Sequence, residues 1–183
     1  DNGLTYEPAD IVVSNGAKHS LFNALHAVCN PGDEVLLPAP YWVSYYELIK
    51  MAGATPVLVT TTEENGYLVT AQQLRDAITD KTKALILNSP CNPTGAVYPD
   101  GRLMEIAALA VEKDIYVISD EIYECLVYDG AVHTSIASFG PEIKDLTVVV
   151  NGLSKAYAMT GWRIGYTASN RLSLIHISEP TRP

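Results

Sequence analysis

Lys155 and Arg163 stand eight residues apart in Asn151-Gly-Leu-Ser-Lys-Ala-Tyr-Ala-Met-Thr-Gly-Trp-Arg-Ile-Gly165, a stretch otherwise made mostly of small or apolar residues. A lysine becomes a covalent catalyst when its surroundings keep part of its amine neutral. It then forms a Schiff base with an aldehyde such as that of pyridoxal phosphate (PLP). An arginine offers a planar fork of donors suited to an anion such as a phosphate. Taken alone, the pair also fits a surface lysine in a glycine-containing turn and an arginine lying along a strand, so the rest of the chain has to decide.

Other residues point the same way. Asp120 closes the apolar run Tyr116-Val-Ile-Ser-Asp120, where a carboxylate is costly unless it meets a partner, and Tyr123 follows three residues later. Asn88-Ser-Pro-Cys-Asn-Pro-Thr-Gly95 carries two prolines and a glycine, so its backbone is stiff and Asn92 has a fixed direction. Trp42 has a large flat ring that could cover an aromatic cofactor. Asn15-Gly16-Ala17-Lys18 joins an apolar run to a helical pattern, and a helix start of that kind offers free N–H groups to an anion. Each residue has an ordinary alternative: a turn asparagine, a helix-capping aspartate, a core tryptophan, a plain strand-to-helix junction.

As a set they meet the demands of PLP. The cofactor draws electrons while its ring nitrogen is protonated, and Asp120 would hold that positive charge. Asn92 and Tyr123 would donate to its phenolic oxygen and Trp42 would stack on its ring. The Gly16-Ala17-Lys18 backbone, Ser154 and Arg163 would hold its phosphate. Lys155 would bind it covalently and, once displaced by an amino acid, move the proton that interconverts amino acid and 2-oxo acid.

These residues need a scaffold that collects them. Short apolar runs predict strands over residues 11–14, 34–37, 55–60, 84–88, 116–120, 146–150 and 163–167. Helical patterns fall over 17–28, 41–52, 70–78 and 100–113, with Trp42 in the first turn of the second. Strands alternating with helices give an α/β fold, a three-layer α-β-α sandwich around a mostly parallel seven-stranded sheet. Ligands in such sheets sit at the carboxyl ends of the strands. Gly16, Asn88, Asn92, Asp120 and Lys155 all fall at or just past such ends.

Composition narrows the partners. The 183 residues carry a formal charge of −9 and 48% hydrophobic residues, with no basic run, which argues against a nucleic-acid partner. The apolar runs are strand-sized, far short of the roughly 20 residues of a membrane span, so a cytoplasmic protein is expected. Three widely spaced cysteines suggest neither a disulfide framework nor a zinc site, and the four histidines show no ligand spacing.

The chain resembles the class I/II aminotransferases of the fold-type I PLP enzymes, in their bacterial aspartate-aminotransferase branch. The resemblance rests on Gly152-Leu-Ser-Lys-x-x-Ala-Met-x-Gly-x-Arg-Ile-Gly165, on the Asn88–Gly95 segment, on Pro40-Tyr-Trp-Val-Ser-Tyr45 and on Ser119-Asp-Glu-Ile-Tyr123, and it spans about Thr5 to Ala168. It implies PLP as cofactor, amino acid and 2-oxo acid substrates in amino acid metabolism, and a homodimer for the full-length protein. It also implies that the strand after the lysine runs antiparallel. Aspartate with 2-oxoglutarate is the default pair; a carbon–sulfur lyase, a cyclopropane-carboxylate synthase-like enzyme and a PLP-binding regulatory domain without turnover are the alternatives. The family's chains are about twice this length. Residues 1–171 are therefore expected to be an incomplete large domain, lacking an N-terminal segment and a C-terminal small domain and without useful turnover alone. Residues 172–183 are expected to be a non-native tail.

Overall fold

Side chains of a strand alternate between the two faces of its sheet, so the parity of each residue decides which helix it meets. The computed structural model describes residues 2–170; the expected tail at 172–183 lies outside them. In chain order the elements are β1 (Ile11–Asn15), α1 (Ala17–Val28), β2 (Glu34–Ala39), α2 (Ser44–Met51), β3 (Thr55–Thr60) and α3 (Ala71–Ala77). There follow β4 (Thr82–Asn88), α4 (Asp100–Lys113), β5 (Tyr116–Asp120), α5 (Pro141–Leu146), β6 (Thr147–Gly152) and β7 (Ile164–Ala168).

The strands form one sheet in the order β1-β7-β6-β5-β4-β2-β3. β3, β2, β4, β5 and β6 pair in parallel, while β7 is antiparallel to both of its neighbours, as the resemblance implied. Val35, Leu37, Ala84, Ile86, Ile118, Val148 and Val150 pack with Leu21 and Leu25 of α1 and Tyr45 and Ile49 of α2. Their sequence neighbours Leu36, Leu85, Leu87 and Val117 pack on the opposite face with Leu74 of α3, Leu103 and Ile106 of α4 and Ile143 of α5. The result is the expected three-layer α-β-α sandwich. Parity also assigns the polar strand ends: Asn88 and Asp120 continue the face under α1 and α2, and Ser119 belongs to the other.

Three expectations need correction. Trp42 is not in a helical turn: α2 begins at Ser44, and Tyr41 and Trp42 form a non-helical lead. Pro38 and Pro40 hold Leu37 and Ala39, the residues before them, extended at the end of β2, and the helix opens only where the Tyr45 N–H meets the Trp42 carbonyl at 3.0 Å. β2 also runs through Pro38 to Ala39 instead of stopping at Leu37, because it stays paired with β3 as far as Ala39 although its pairing with β4 ends at Leu36. Pro38 thus lies where β2 has one neighbour, and a missing N–H is tolerated there. Leu146, expected to open β6, is the last residue of α5, a short helix that starts with Pro141 at its first position and gives too few turns for a periodic signal. Among the described residues no helix is long and apolar enough to cross a membrane.

Candidate active site

The sheet order fixes the order of the chemistry along its edge. Moving from β1 toward β3, the residues just past the strand ends are Gly16, then Ser154 and Lys155 after β6, Asp120 and Tyr123 at β5, Asn92 after β4 and Trp42 after β2. Arg163 joins them because β7 is antiparallel, so its start and not its end lies at this edge. Opposite Arg163's neighbour Ile164 stands Asn15, the last residue of β1. A cavity of about 350 Å³ opens here, within the size range of small-molecule sites. Ala17, Lys18, Trp42, Asn92, Asp120, Tyr123, Ser154, Lys155 and Arg163 all line it.

Asp120 is 3% exposed. Its Oδ2 accepts a hydrogen bond of 2.6 Å from Tyr45 Oη, and its Oδ1 accepts one of 3.2 Å from the Ile122 N–H. Burial pushes the carboxyl up to about 6; the Tyr45 and Ile122 donors oppose this, and the neighbouring charge of Glu121 adds to it. Tyr45 is itself buried and its phenol is held well above the usual range, first by burial and then by the charge of Asp120.

Asn88 ties two of these segments together. Its Nδ2 donates to the Asp120 carbonyl at 2.9 Å and its Oδ1 accepts from the Asn92 N–H at 2.7 Å. Asn92 Nδ2 lies 3.5 Å from Tyr123 Oη, so the proline-stiffened loop meets the β5 end through its side chain. Trp42 packs its ring edge-to-face against Tyr45, with centroids 5.3 Å apart, and Lys18 Nζ sits 4.9 Å from the Trp42 ring centroid.

Two of the three cations, Lys155 and Arg163, come from one connection. β6 and β7 pair through Gly152 and Gly165, and residues 153–163 close the loop between them, with Leu153 N–H bonded to the Ile164 carbonyl at 3.1 Å. Lys155 is exposed and its Nζ lies 5.8 Å from the Tyr123 ring centroid. Arg163 adopts a left-handed conformation, φ 52°, and its Nη1 donates to the Thr160 carbonyl at 3.0 Å. The guanidinium occupies the space where a side chain at Gly16 would lie. Gly16 has φ 86° and caps α1, whose first N–H groups have no partner within the helix. Gly165 lies so close to the Gly16–Ala17 backbone that a Cβ could not be accommodated.

The donor set is thus an anion cradle at β1 and β7, an amine after β6, and a buried carboxylate with a phenol and an amide at β5 and β4. That sequence of groups fits the phosphate, aldehyde, ring nitrogen and phenolic oxygen of PLP.

A sequence model of the family aminotransferase class I and II matches residues 1–179. The chain belongs to the class I and II aminotransferases. It is 55% identical over 170 residues to the aspartate aminotransferase of Bacillus sp. (strain YM-2), covering 93% of this chain and 43% of that one. It is 51% identical over 166 residues to the aspartate/prephenate aminotransferase of Thermus thermophilus, covering 91% of this chain and 42% of that protein. The structure of the Thermus thermophilus aspartate aminotransferase with maleate superposes with a TM-score of 0.91 at 47% identity, over 96% of this chain and 45% of that one. An aromatic aminotransferase from Pyrococcus horikoshii gives a TM-score of 0.93 at 45% identity, over 96% and 47% of the two chains. The chain spans less than half the length of the curated relatives it matches.

Two parts of this aminotransferase chain escaped the sequence reading. Tyr45, the partner of Asp120, lies in an amphipathic helix and reads there as a core residue. Glu121, the next residue after Asp120, turns to the other face of the sheet. There Ser119 Oγ and Ser135 Oγ donate to its Oε1 at 2.9 and 2.7 Å, and His133 Nε2 lies 3.2 Å from its Oε2. Glu121, Glu124 and His133 bring one ligand atom each within 4.8 Å of one another. The Asn2 amide already bridges the two carboxylates, at 3.3 and 2.7 Å.

The position of Asp120 gives a pH prediction for the cofactor-free chain. The folded carboxyl titrates near 6 and an unfolded one at 3.8, so the folded state holds the proton more tightly. Its contribution to stability is fully present below about 4 and is lost as pH rises to about 6, a change of about 3 kcal/mol. Asp120→Asn removes the ionisation. In thermal melts the variant should gain on the parent as pH rises from 4 to 6 and stay ahead above it; a constant difference across that window would refute the assignment.

Proposed function

We propose that residues 1–171 are the PLP-binding large domain of an aminotransferase. The reaction moves an amino group between an amino acid, with aspartate as the leading donor, and a 2-oxo acid such as 2-oxoglutarate. One observation carries the reading: an arginine-lined anion cradle, a lysine amine and a buried carboxylate meet in one cavity, in that order along the sheet edge. The similar proteins named above are aminotransferases, which favours transamination over the lyase, synthase and regulatory alternatives.

Bound PLP would supply an aldehyde that condenses with amines and a protonated ring that draws electrons from the carbon being deprotonated. The chain's own residues divide the remaining work. Arg163, the N–H groups of Ala17 and Lys18, and Ser154 hold the phosphate by charge, helix-start donors and hydroxyl, while Gly16, whose own N–H donates to the Ser14 carbonyl at 2.8 Å, leaves the room that the guanidinium occupies. Trp42 covers the ring. Asp120 keeps the ring nitrogen charged, and Asn92 and Tyr123 donate to the phenolic oxygen. Lys155 Nζ would anchor the cofactor, and as the free amine it would take the proton from the donor's Cα and deliver it to the carbon that had been the cofactor's aldehyde. Lys155 and Arg163 are exposed in this chain, so water exclusion falls to the homodimer partner and the rest of the full-length cytoplasmic enzyme.

The test has two arms. The 183-residue chain should bind added PLP, seen as a change in the cofactor's absorption, with no sustained turnover. The full-length protein should convert aspartate and 2-oxoglutarate to oxaloacetate and glutamate. A full-length protein that holds PLP yet releases ammonia, or that leaves 2-oxo acids unchanged, would overturn the transaminase reading.

A further inference from the structure

Tyr45 has no role in the chemistry above, yet its side chain is 2% exposed and lines the same cavity. It is fixed from two sides. Its N–H bonds to the Trp42 carbonyl at 3.0 Å, closing the turn that opens α2, and its ring meets the Trp42 ring at 89°. Its hydroxyl then reaches Asp120 Oδ2 at 2.6 Å, the shorter of the two protein hydrogen bonds to that carboxylate.

We propose that Tyr45 is a positioning residue, which gives its phenolic hydrogen bond to Asp120 Oδ2 so that the carboxylate stays ionised and aimed at a cationic ring nitrogen. The inference rests on the PLP reading and deepens it. What matters is the kind of partner. A lysine or arginine beside Asp120 would keep it ionised but would also cancel its charge, leaving little attraction for a second cation. A phenol donates one short hydrogen bond to the charged form and adds no charge of its own. The groups that act on the carboxylate follow that pattern: the Tyr45 hydroxyl on α2, the Ile122 N–H past β5, and Glu121 next in the chain. Lys18, Lys155 and Arg163 line the same cavity, but among the described residues Asp120 forms no ion pair with any of them. Burial drives Asp120 toward taking up a proton, which would make it useless to a ring cation, and the Tyr45 donor works against this. By the same contact Tyr45 links the ring that covers the cofactor to the acid that charges it.

The experiment compares Tyr45→Phe with the parent in two readouts. The first is the Asp120 carboxyl titration, followed by carbon NMR in the cofactor-free chain. The variant should titrate about one to two pH units higher than the parent, the size expected for losing a hydrogen bond to a charged group. The second is affinity for PLP against affinity for its carbocyclic analogue, which has C–H in place of the ring nitrogen. The variant should lose roughly ten- to a hundredfold for PLP and stay unchanged for the analogue. An equal loss for both ligands would mean that Tyr45 only packs the site, and an unmoved titration would mean that it does not govern Asp120; either overturns the proposal. Should Tyr45→Phe fail to fold, 3-fluorotyrosine at position 45 keeps the shape and strengthens the donor, so the Asp120 titration must fall; no fall overturns the proposal. A parent chain that binds neither ligand refutes the PLP reading itself, a result visible before any variant is made.

Discussion

Lys155→Ala is expected to abolish covalent retention of PLP while leaving the fold intact. The parent chain, loaded with PLP, reduced with borohydride and digested, should carry the cofactor on the peptide containing Lys155. The variant should carry none. Two amines line the cavity, Lys155 and Lys18, and the geometry separates them. Lys155 extends from the β6–β7 loop between the anion cradle and Asp120, whereas Lys18 Nζ lies over the Trp42 ring. Lys18→Ala should therefore keep the covalent link. The structural cost of Lys155→Ala is small, because the side chain is exposed and its one aromatic contact, to Tyr123, is worth at most about 1 kcal/mol. The melting temperature should move by less than about 4 °C. In the full-length protein the rate of amino transfer should fall at least about 10⁴-fold, since the same amine anchors the cofactor and moves the proton. Cofactor still covalently held in Lys155→Ala would move the attachment point elsewhere and undo the assignment.

Gly165→Ala is expected to damage stability and cofactor binding together. A Cβ at Gly165 would fall on the Gly16 carbonyl carbon and the Ala17 nitrogen, which are backbone atoms and cannot swing aside. β7 would have to move away from the β1–α1 junction, and Arg163, two residues earlier, would move with it. Overpacking of this kind costs typically 1–3 kcal/mol and occasionally more; with backbone on the receiving side we expect about 3 kcal/mol, or a melting temperature lower by roughly 6–12 °C. Affinity for PLP, and for inorganic phosphate as a probe of the cradle, should drop in parallel. Gly161→Ala is the matched control: it lies in the loop that leads into β7, with nothing within 4 Å of its Cβ position. Its melting temperature and phosphate affinity should stay at the parent values. A Gly165→Ala protein as stable as the control would show that β1 and β7 can part without harm.

The contrast between those two glycines shows where the sequence was readable. The strands were legible because Val, Ile and Leu recur in short runs, and the exceptions have local causes. Pro38 looked like a strand end since the pattern cannot say that β2 has a neighbour on one side only at that point. Trp42 looked helical because its apolar spacing continues that of α2, while the helix itself opens only at Ser44. The direction of β7 is a different matter. Alternation with period two is the same for parallel and antiparallel strands, so the chain itself does not tell whether Arg163 lies at the working edge or the far edge. That placement came from likeness to a family. Lys155, Asp120 and Asn92 stood out because polar groups in apolar or proline-stiffened settings need partners. Tyr45 and Glu121 did not: a tyrosine on an apolar helix face needs no further explanation, and a glutamate after an aspartate in one motif gives no hint that the two face opposite sides of the sheet.

The pairing of β1 with β7 also sets a timetable. β1 is the first strand among the described residues and its partner strand among them is the last, so at roughly 5–20 residues per second β1 waits some 7–30 s during synthesis before those hydrogen bonds can form. β2, β3, β4 and β5 can assemble with their helices in the meantime, bringing Asp120 and Asn92 together. The anion cradle cannot exist until residue 165 slides beside Gly16. The half of the site proposed to hold the ring is therefore built early by near neighbours, and the half proposed to hold the phosphate is locked last, by a contact spanning almost the whole described chain.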